Sequence, residues 1–220
     1  MNSFCFNMKS EVCLPKSNSL QHRKFLMGSL FFVLAFFLIF SCVFTSCVST
    51  HVPEKQECSR VIDDAGIKTE EQLVAFFLSH SPDSDAEKVS RLASYYIMEC
   101  KFEGINSDAA FVQMCLETGF LHYGNLVTPE MNNFCGLGAI DENQRGLSFE
   151  TEQLGVKAHV QHLHAYGTSR ELNGECIDPR YKYVRPRGKA PTIFELSGTW
   201  AADKEYGAKL DRYLAELSEF

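Results

Sequence analysis

Hydrophobic and polar positions divide this 220-residue chain into regimes with different periods. Residues 25–48, FLMGSLFFVLAFFLIFSCVFTSCV, hold no charged residue, follow Arg23 and Lys24, and give way to the polar STHVPEKQE. That is the pattern of an export signal or membrane anchor, which puts the body outside the cytoplasm. Residues 49–66 are polar, contain Pro53 and Gly66, and read as a tether. From residue 67 the apolar positions recur every three to four residues, the helical period. TEEQLVAFFLSH opens on the capping-box pair Thr69 and Gln72 and sets Leu73, Phe76 and Phe77 on one face. A second helix is predicted from Ser84 or Asp85, carrying the stripe Val89, Leu92, Ala93, Tyr96, Ile97 and Cys100, until Gly104 stops it. A third starts at Asn106 or Ser107 and ends near Gly119.

The period then breaks. Gly136, Gly138 and Gly146 fall within eleven residues of NNFCGLGAIDENQRGLSF, which marks a loop or short hairpin. Helix returns in TEQLGVKAHVQHLHAYG, with Val156, His159, Val160 and Leu163 on one face. DPRYKYVRPRGKAP reads as an irregular arm, and TIFELSGTWAADKEYGAKLDRYLAEL as two last helical pieces closing on Leu210, Tyr213, Leu214 and Leu217. The expected architecture is mainly α within an α+β plan, with one small β insertion after the third helix. The expected organisation is a signal or anchor segment at 1–48, a linker at 49–66 and one domain at 67–220.

The third helix poses the chemical question. From Ala109 to Leu116 its only polar side chain is Gln113, so the rod is oily around most of its circumference and belongs in a core. Glu117 nevertheless follows, four residues after Gln113 and therefore on the same face. A carboxylic acid among Met, Leu and Phe is penalised for ionising, so its pKa rises, which suits a general acid in glycoside hydrolysis. The periodicity is also compatible with an ordinary acid that reaches water at the helix end or pairs with a base.

Charge and cysteines narrow the partners. The chain carries 21 Lys and Arg against 28 Asp and Glu. Four of the basic residues (Lys9, Lys16, Arg23 and Lys24) precede residue 48 with one acid, Glu11, so the body is more acidic than the whole. Such a body lacks the clustered cations that phosphate contacts require, and nucleic acid is not expected as a ligand. Cys58, Cys100, Cys115, Cys135 and Cys176 contain no CxxC pair and read as buried free thiols rather than zinc ligands. His159, His162 and His164 lack the acid of an HExxH arrangement, and no metal or cofactor is predicted. FTSC at 44–47 has the form of a lipobox, which makes Cys47 the expected lipidation site; an uncleaved helical anchor and simple cleavage are the alternatives.

Together, FVQMCLETGFLHYGN, NNFCGLG, GVKAHVQHLHAY, DPRYKYV and LSGTWAADKEYG resemble the glucosaminidase domain of peptidoglycan hydrolases, glycoside hydrolase family seventy-three. The matching positions are Gln113, Leu116 to Gly119, Asn132 to Leu137, and Trp200 to Gly207, in the family's order. The resemblance implies a lysozyme-like fold, with a helical lobe beside a small β-hairpin lobe. It also implies an endo-β-N-acetylglucosaminidase that cuts the β-1,4 bond of the glycan strand, with Glu117 as the general acid. Gln113, Asn133, Phe134, Trp200 and Tyr206 would line the saccharide groove. The family's second carboxylate sits on a longer hairpin than this chain has. Asp141 is the candidate here, with Glu142 and Glu150 nearby, and substrate assistance by the 2-acetamido group or a lytic cleavage are the alternatives. The implied partners are peptidoglycan strands and, through an N-terminal lipid or helix, the membrane of the cell envelope, with the protein acting as a monomer. A non-catalytic wall-binding or scaffold protein, and a muramidase or lytic transglycosylase of the same fold, are the rival readings. The basic loop of Arg185, Arg187 and Lys189 suits contact with acidic peptide stems.

Overall fold

Five helices, each stopped by an identifiable cap, build the domain in the computed structural model, which describes residues 56–124 and 126–220. The expected signal segment, Cys47 and residues 49–55 of the expected tether lie outside the described residues. Residues 56–66, read from their polarity as tether, instead belong to the domain: Cys58 and Ile62 are buried in its core, and the Ile62 amide donates to the Pro191 carbonyl at 2.9 Å. Helix α1 (Glu70–His80) begins with the reciprocal capping box of Thr69 and Gln72. Helix α2 (Ala86–Glu103) starts at Asp85, whose carboxylate accepts from the amides of Glu87 and Lys88, and ends on the left-handed Gly104. Helix α3 (Ser107–Thr118) starts at Asn106 and ends on the left-handed Gly119. Each such N-cap stabilises its helix by about 1 kcal/mol. Among the described residues no helix is long and apolar enough to cross a membrane.

Helix α3 is the axis of the domain. Every side chain from Ser107 to Cys115 is buried, because α2 packs on one side and α5 (Tyr206–Leu217) on another. Helix α4 (Glu152–Gly167), capped by Thr151, lies along α2 and carries Val156, His159, Val160 and Leu163 into the same core. Helix α1 closes it, with Leu73, Phe76 and Phe77 fully buried.

The β element is small. Strands β1 (Ala139–Asp141) and β2 (Gln144–Arg145) form an antiparallel pair in which Ala139 faces Arg145 and Asp141 faces Gln144, with an irregularity between the two pairings. The fold is thus mainly helical with a two-stranded antiparallel sheet, an α+β arrangement of lysozyme-like type. The segment expected to give two final helical pieces forms a 3-10 turn at Ile193–Leu196, then a bend bearing Trp200, and then α5. Cys58, Cys100, Cys115 and Cys135 are buried free thiols, as their apolar settings predict, whereas Cys176 is exposed.

Candidate active site

The exit from α3 shapes the site. After Gly119, three non-glycine residues adopt positive φ: Phe120 (54°), Leu121 (63°) and Tyr123 (56°). A left-handed backbone costs roughly 1–2 kcal/mol per L-residue, and tertiary contacts hold it here. The amides of Phe120 and Tyr123 donate to the Cys115 and Thr118 carbonyls, each at 2.8 Å. The Phe120 ring stacks on His80 at 4.6 Å between centroids and meets Phe77 and Tyr213 edge-on. The tight reversal brings Tyr123, Leu126 and Val127 round to face the end of α3, where a cavity of about 350 Å³ opens.

That cavity is lined by Glu117 at its base, by Tyr123, Leu126 and Val127 on one side, by Asn133, Cys135, Gly136 and Ala139 of the hairpin lobe, and by Trp200 and Ala201. Asn133 shapes the hairpin wall. Its amide nitrogen donates to the carbonyls of Leu137 (3.0 Å) and Leu147 (2.9 Å), and its oxygen accepts from the Leu137 amide at 2.8 Å. One buried side chain thereby staples both arms of the hairpin.

Glu117 is held by two donors on a single oxygen. The Trp200 indole Nε1–H donates to Oε1 at 2.8 Å, and the Tyr206 hydroxyl donates to the same Oε1. Burial pushes the Glu117 carboxyl above its usual range, while the Tyr206 and Trp200 hydrogen bonds pull the other way. Behind Tyr206, Gln113 Nε2 donates to the Tyr206 hydroxyl at 3.0 Å, and Gln113 Oε1 lies 3.0 Å from His159 Nε2. His159 Nδ1 lies 2.7 Å from the Tyr96 hydroxyl. Desolvation lowers the His159 pKa to about 3, so its ring is neutral.

This arrangement brings together Glu117, Gln113, Trp200 and Tyr206, which belong to two separated sequence motifs. Their depths differ from a common groove lining. Gln113 is 1% exposed, with both ends of its amide engaged below the cavity. Phe134, expected in the groove, is 1% exposed inside the main core, because the residues beside it that face the cavity are Asn133 and Cys135. Asp141 stands exposed at the tip of β1, where its Oδ1 accepts from the amides of Asn143 (2.8 Å) and Gln144 (3.0 Å) and caps the turn. It is not part of the cavity lining; among the described residues Glu117 is the one carboxylate there.

Sequence reasoning missed Tyr123 as a wall, and the partners of the three histidines. His159 serves Gln113, His162 Nδ1 pairs with Asp178 at 2.7 Å, and His164 Nδ1 lies 3.2 Å from the Tyr181 hydroxyl. Spacing placed His159 on the buried stripe of its helix, which was the available sign that its ring serves the interior.

Residues 93–219, more than half of the chain, match the glucosaminidase family, described as mannosyl-glycoprotein endo-beta-N-acetylglucosaminidase. The chain belongs to the glucosaminidase family. At family level this glucosaminidase is a glycosidase of peptidoglycan, a polymer of the cell envelope. An uncharacterized protein of Borreliella burgdorferi is 39% identical over 173 residues, covering 79% of this chain and 84% of that protein. No solved structure matches the chain. The matched stretch of this glucosaminidase begins within α2 and takes in every residue of the Glu117 cavity. Helix α1 precedes it yet packs into the same core.

Proposed function

We propose that this glucosaminidase is an endo-β-N-acetylglucosaminidase of peptidoglycan, with Glu117 as the general acid. The observation that supports this reading is the one-sided grip on Glu117: both donors fall on Oε1, which leaves Oε2 to carry the proton. Burial raises the hold of the carboxyl on that proton, the direction an acid needs in order to protonate a glycosidic oxygen.

In this reading the glycan strand lies in the cleft with the scissile oxygen at Glu117 Oε2. Proton transfer to the leaving group accompanies rupture of the C1–O bond, and Trp200 and Tyr206 stabilise the carboxylate that results. No second carboxylate shares the cavity among the described residues. The 2-acetamido oxygen of the bound N-acetylglucosamine therefore closes onto C1, and water, deprotonated by Glu117, opens the ring intermediate. Asp141, which caps the hairpin turn, takes no part in the chemistry. The enzyme works outside the cytoplasm, tethered through its N-terminal segment at a lipidated Cys47 or by an uncleaved helix.

The single carboxylate also suits a lytic cleavage, in which the C6 hydroxyl of the cleaved sugar attacks C1 in place of water. Purified cell walls digested with the wild type and with Glu117→Gln test the assignment. The reading expects soluble fragments ending in reducing N-acetylglucosamine from the wild type, and none from the variant. Fragments ending in 1,6-anhydro-N-acetylmuramic acid would move the enzyme to the lytic class. Equal clearing by both proteins would remove Glu117 from catalysis.

A further inference from the structure

Four buried side chains and the partly exposed Glu117, together from four helices, form one continuous hydrogen-bonded line. It runs from Tyr96 on α2 to His159 on α4 (2.7 Å), Gln113 on α3 (3.0 Å), Tyr206 on α5 (3.0 Å) and finally Glu117 Oε1. We propose that this line has a fixed direction, with every O–H and N–H pointing toward Glu117, and that Tyr96 and His159 are positioning residues that keep the acid's proton on Oε2.

The direction follows from counting hydrogens. The Tyr206 hydroxyl touches both Glu117 and Gln113 and has one hydrogen to give. With the Glu117 proton on Oε2 or absent, Oε1 only accepts, so the Tyr206 hydrogen goes to Oε1. The Tyr206 oxygen then takes its hydrogen bond from Gln113 Nε2–H, which turns Gln113 Oε1 toward His159. A neutral imidazole has one N–H, and facing a carbonyl oxygen it must be at Nε2. His159 Nδ1 is then bare and accepts from Tyr96. All five groups are satisfied.

The reverse direction is also continuous, but it fails at one end. Flipping the Gln113 amide makes Tyr206 donate to Gln113, and the Glu117 proton must then sit on Oε1 and point inward at Tyr206, out of reach of substrate. His159 would carry its hydrogen on Nδ1 and donate to the Tyr96 oxygen. That leaves the Tyr96 hydrogen stranded, since Tyr96 is fully buried and His159 is its one hydrogen-bond partner among the described residues. A buried donor without an acceptor is penalised far more than an exposed one. The Trp200 indole adds to the bias, because it can only donate and does so to Oε1. Tyr96 therefore acts as the stop at the far end of the line, and its effect on catalysis rests on Glu117 being the acid.

The groups that face Glu117 from the packed elements are Tyr206 of α5 and the loop residues Tyr123 and Cys135; burial pushes each of them up, Tyr123 to about 12. Around the His159 ring stand Tyr96, Gln113, His162 and Trp200, and His162 lowers the His159 pKa further. Glu117 is thus the group that the alkaline limb of a kcat profile reports.

Long-range ¹⁵N–¹H spectroscopy of the full chain labelled at histidine reads the line directly, with His159 assigned by its loss in His159→Gln. The expected result is the Nε2–H tautomer, unchanged between pH 5 and 8. An Nδ1–H tautomer, or a ring that protonates in that range, overturns the proposal. The same proposal expects Tyr96→Phe to lower kcat about tenfold, the loss that one buried hydrogen bond commonly brings. KM should stay within about twofold, and the alkaline limb should move to higher pH as the inward-protonated acid becomes populated. A profile that superimposes on the wild type also overturns it. If His159 shows the Nε2–H tautomer while Glu117→Gln remains active, the line stands and the catalytic reading fails. If activity depends on Glu117 while His159 is the Nδ1–H tautomer, the line alone fails.

Discussion

The Trp200 indole nitrogen donates to Glu117 Oε1 at 2.8 Å across a sequence separation of 83 residues. The acid's orientation is therefore set by a bend near the C-terminus rather than by its own helix. The Trp200 ring is itself fixed by His162 (5.2 Å) and Tyr166 (5.1 Å) of α4, so three elements define one carboxylate.

Trp200→Phe tests this relationship. The variant keeps an aromatic ring in the wall but loses one of the two donors that favour the Glu117 carboxylate. The Glu117 pKa should rise, and the alkaline limb of the kcat profile should shift up. The lost hydrogen bond to a charged group should lower kcat roughly tenfold or more. A pH–rate profile compared with wild type checks both; an unmoved limb would mean that the indole only packs.

Stability should move opposite to activity in Glu117→Gln. The folded-state pKa of Glu117 is raised by burial above its unfolded value. The native state therefore holds this proton more tightly than the unfolded chain does. The resulting stabilisation is complete below the unfolded pKa and is lost as pH rises through the folded one. Above that window the wild type carries a buried charge and the variant does not. Thermal melting should show the two proteins alike near pH 4 and Glu117→Gln at least as stable at pH 8, while wall digestion is lost. A variant that melts well below wild type at pH 8 would contradict the raised pKa.

Asp141→Asn separates charge from turn capping. The asparagine oxygen can accept from the Asn143 and Gln144 amides as the carboxylate does, so the hairpin is retained. Activity should stay within about threefold of wild type, since removal of a general acid or base typically costs 10²–10⁴-fold. A loss of that larger size would return Asp141 to the chemistry.

Gly155→Ala should destabilise the domain through the cleft wall. A Cβ there would stand 1.8 Å from the Asn132 carbonyl oxygen and 3.0 Å from its carbon, a clash with backbone that cannot rotate away. Overpacking of this kind costs about 1–3 kcal/mol or more. Chemical denaturation should register it as a lowered midpoint, and activity should fall as Asn133 is displaced with its neighbour.

Sequence alone determined the helices of this protein and the oddity of Glu117. Thr69 with Gln72, Asp85, Asn106, Gly104 and Gly119 are local signals, and the backbone groups they satisfy lie within one turn, so boundaries could be read without knowing the fold. The apolar surroundings of Glu117 predicted a buried acid because burial follows from periodicity. Tertiary structure decided what that acid touches. Gln113 shares its helical face, but α5 inserts Tyr206 between the two side chains, so Gln113 meets Tyr206 and His159 instead of the groove. Phe134 went to the core and Asp141 to a turn because the hairpin is stapled by Asn133, a set of contacts that no spacing reveals. Hydrogen bonds between helices have no sequence period, and the direction of the line ending on Glu117 exists only once four helices have packed.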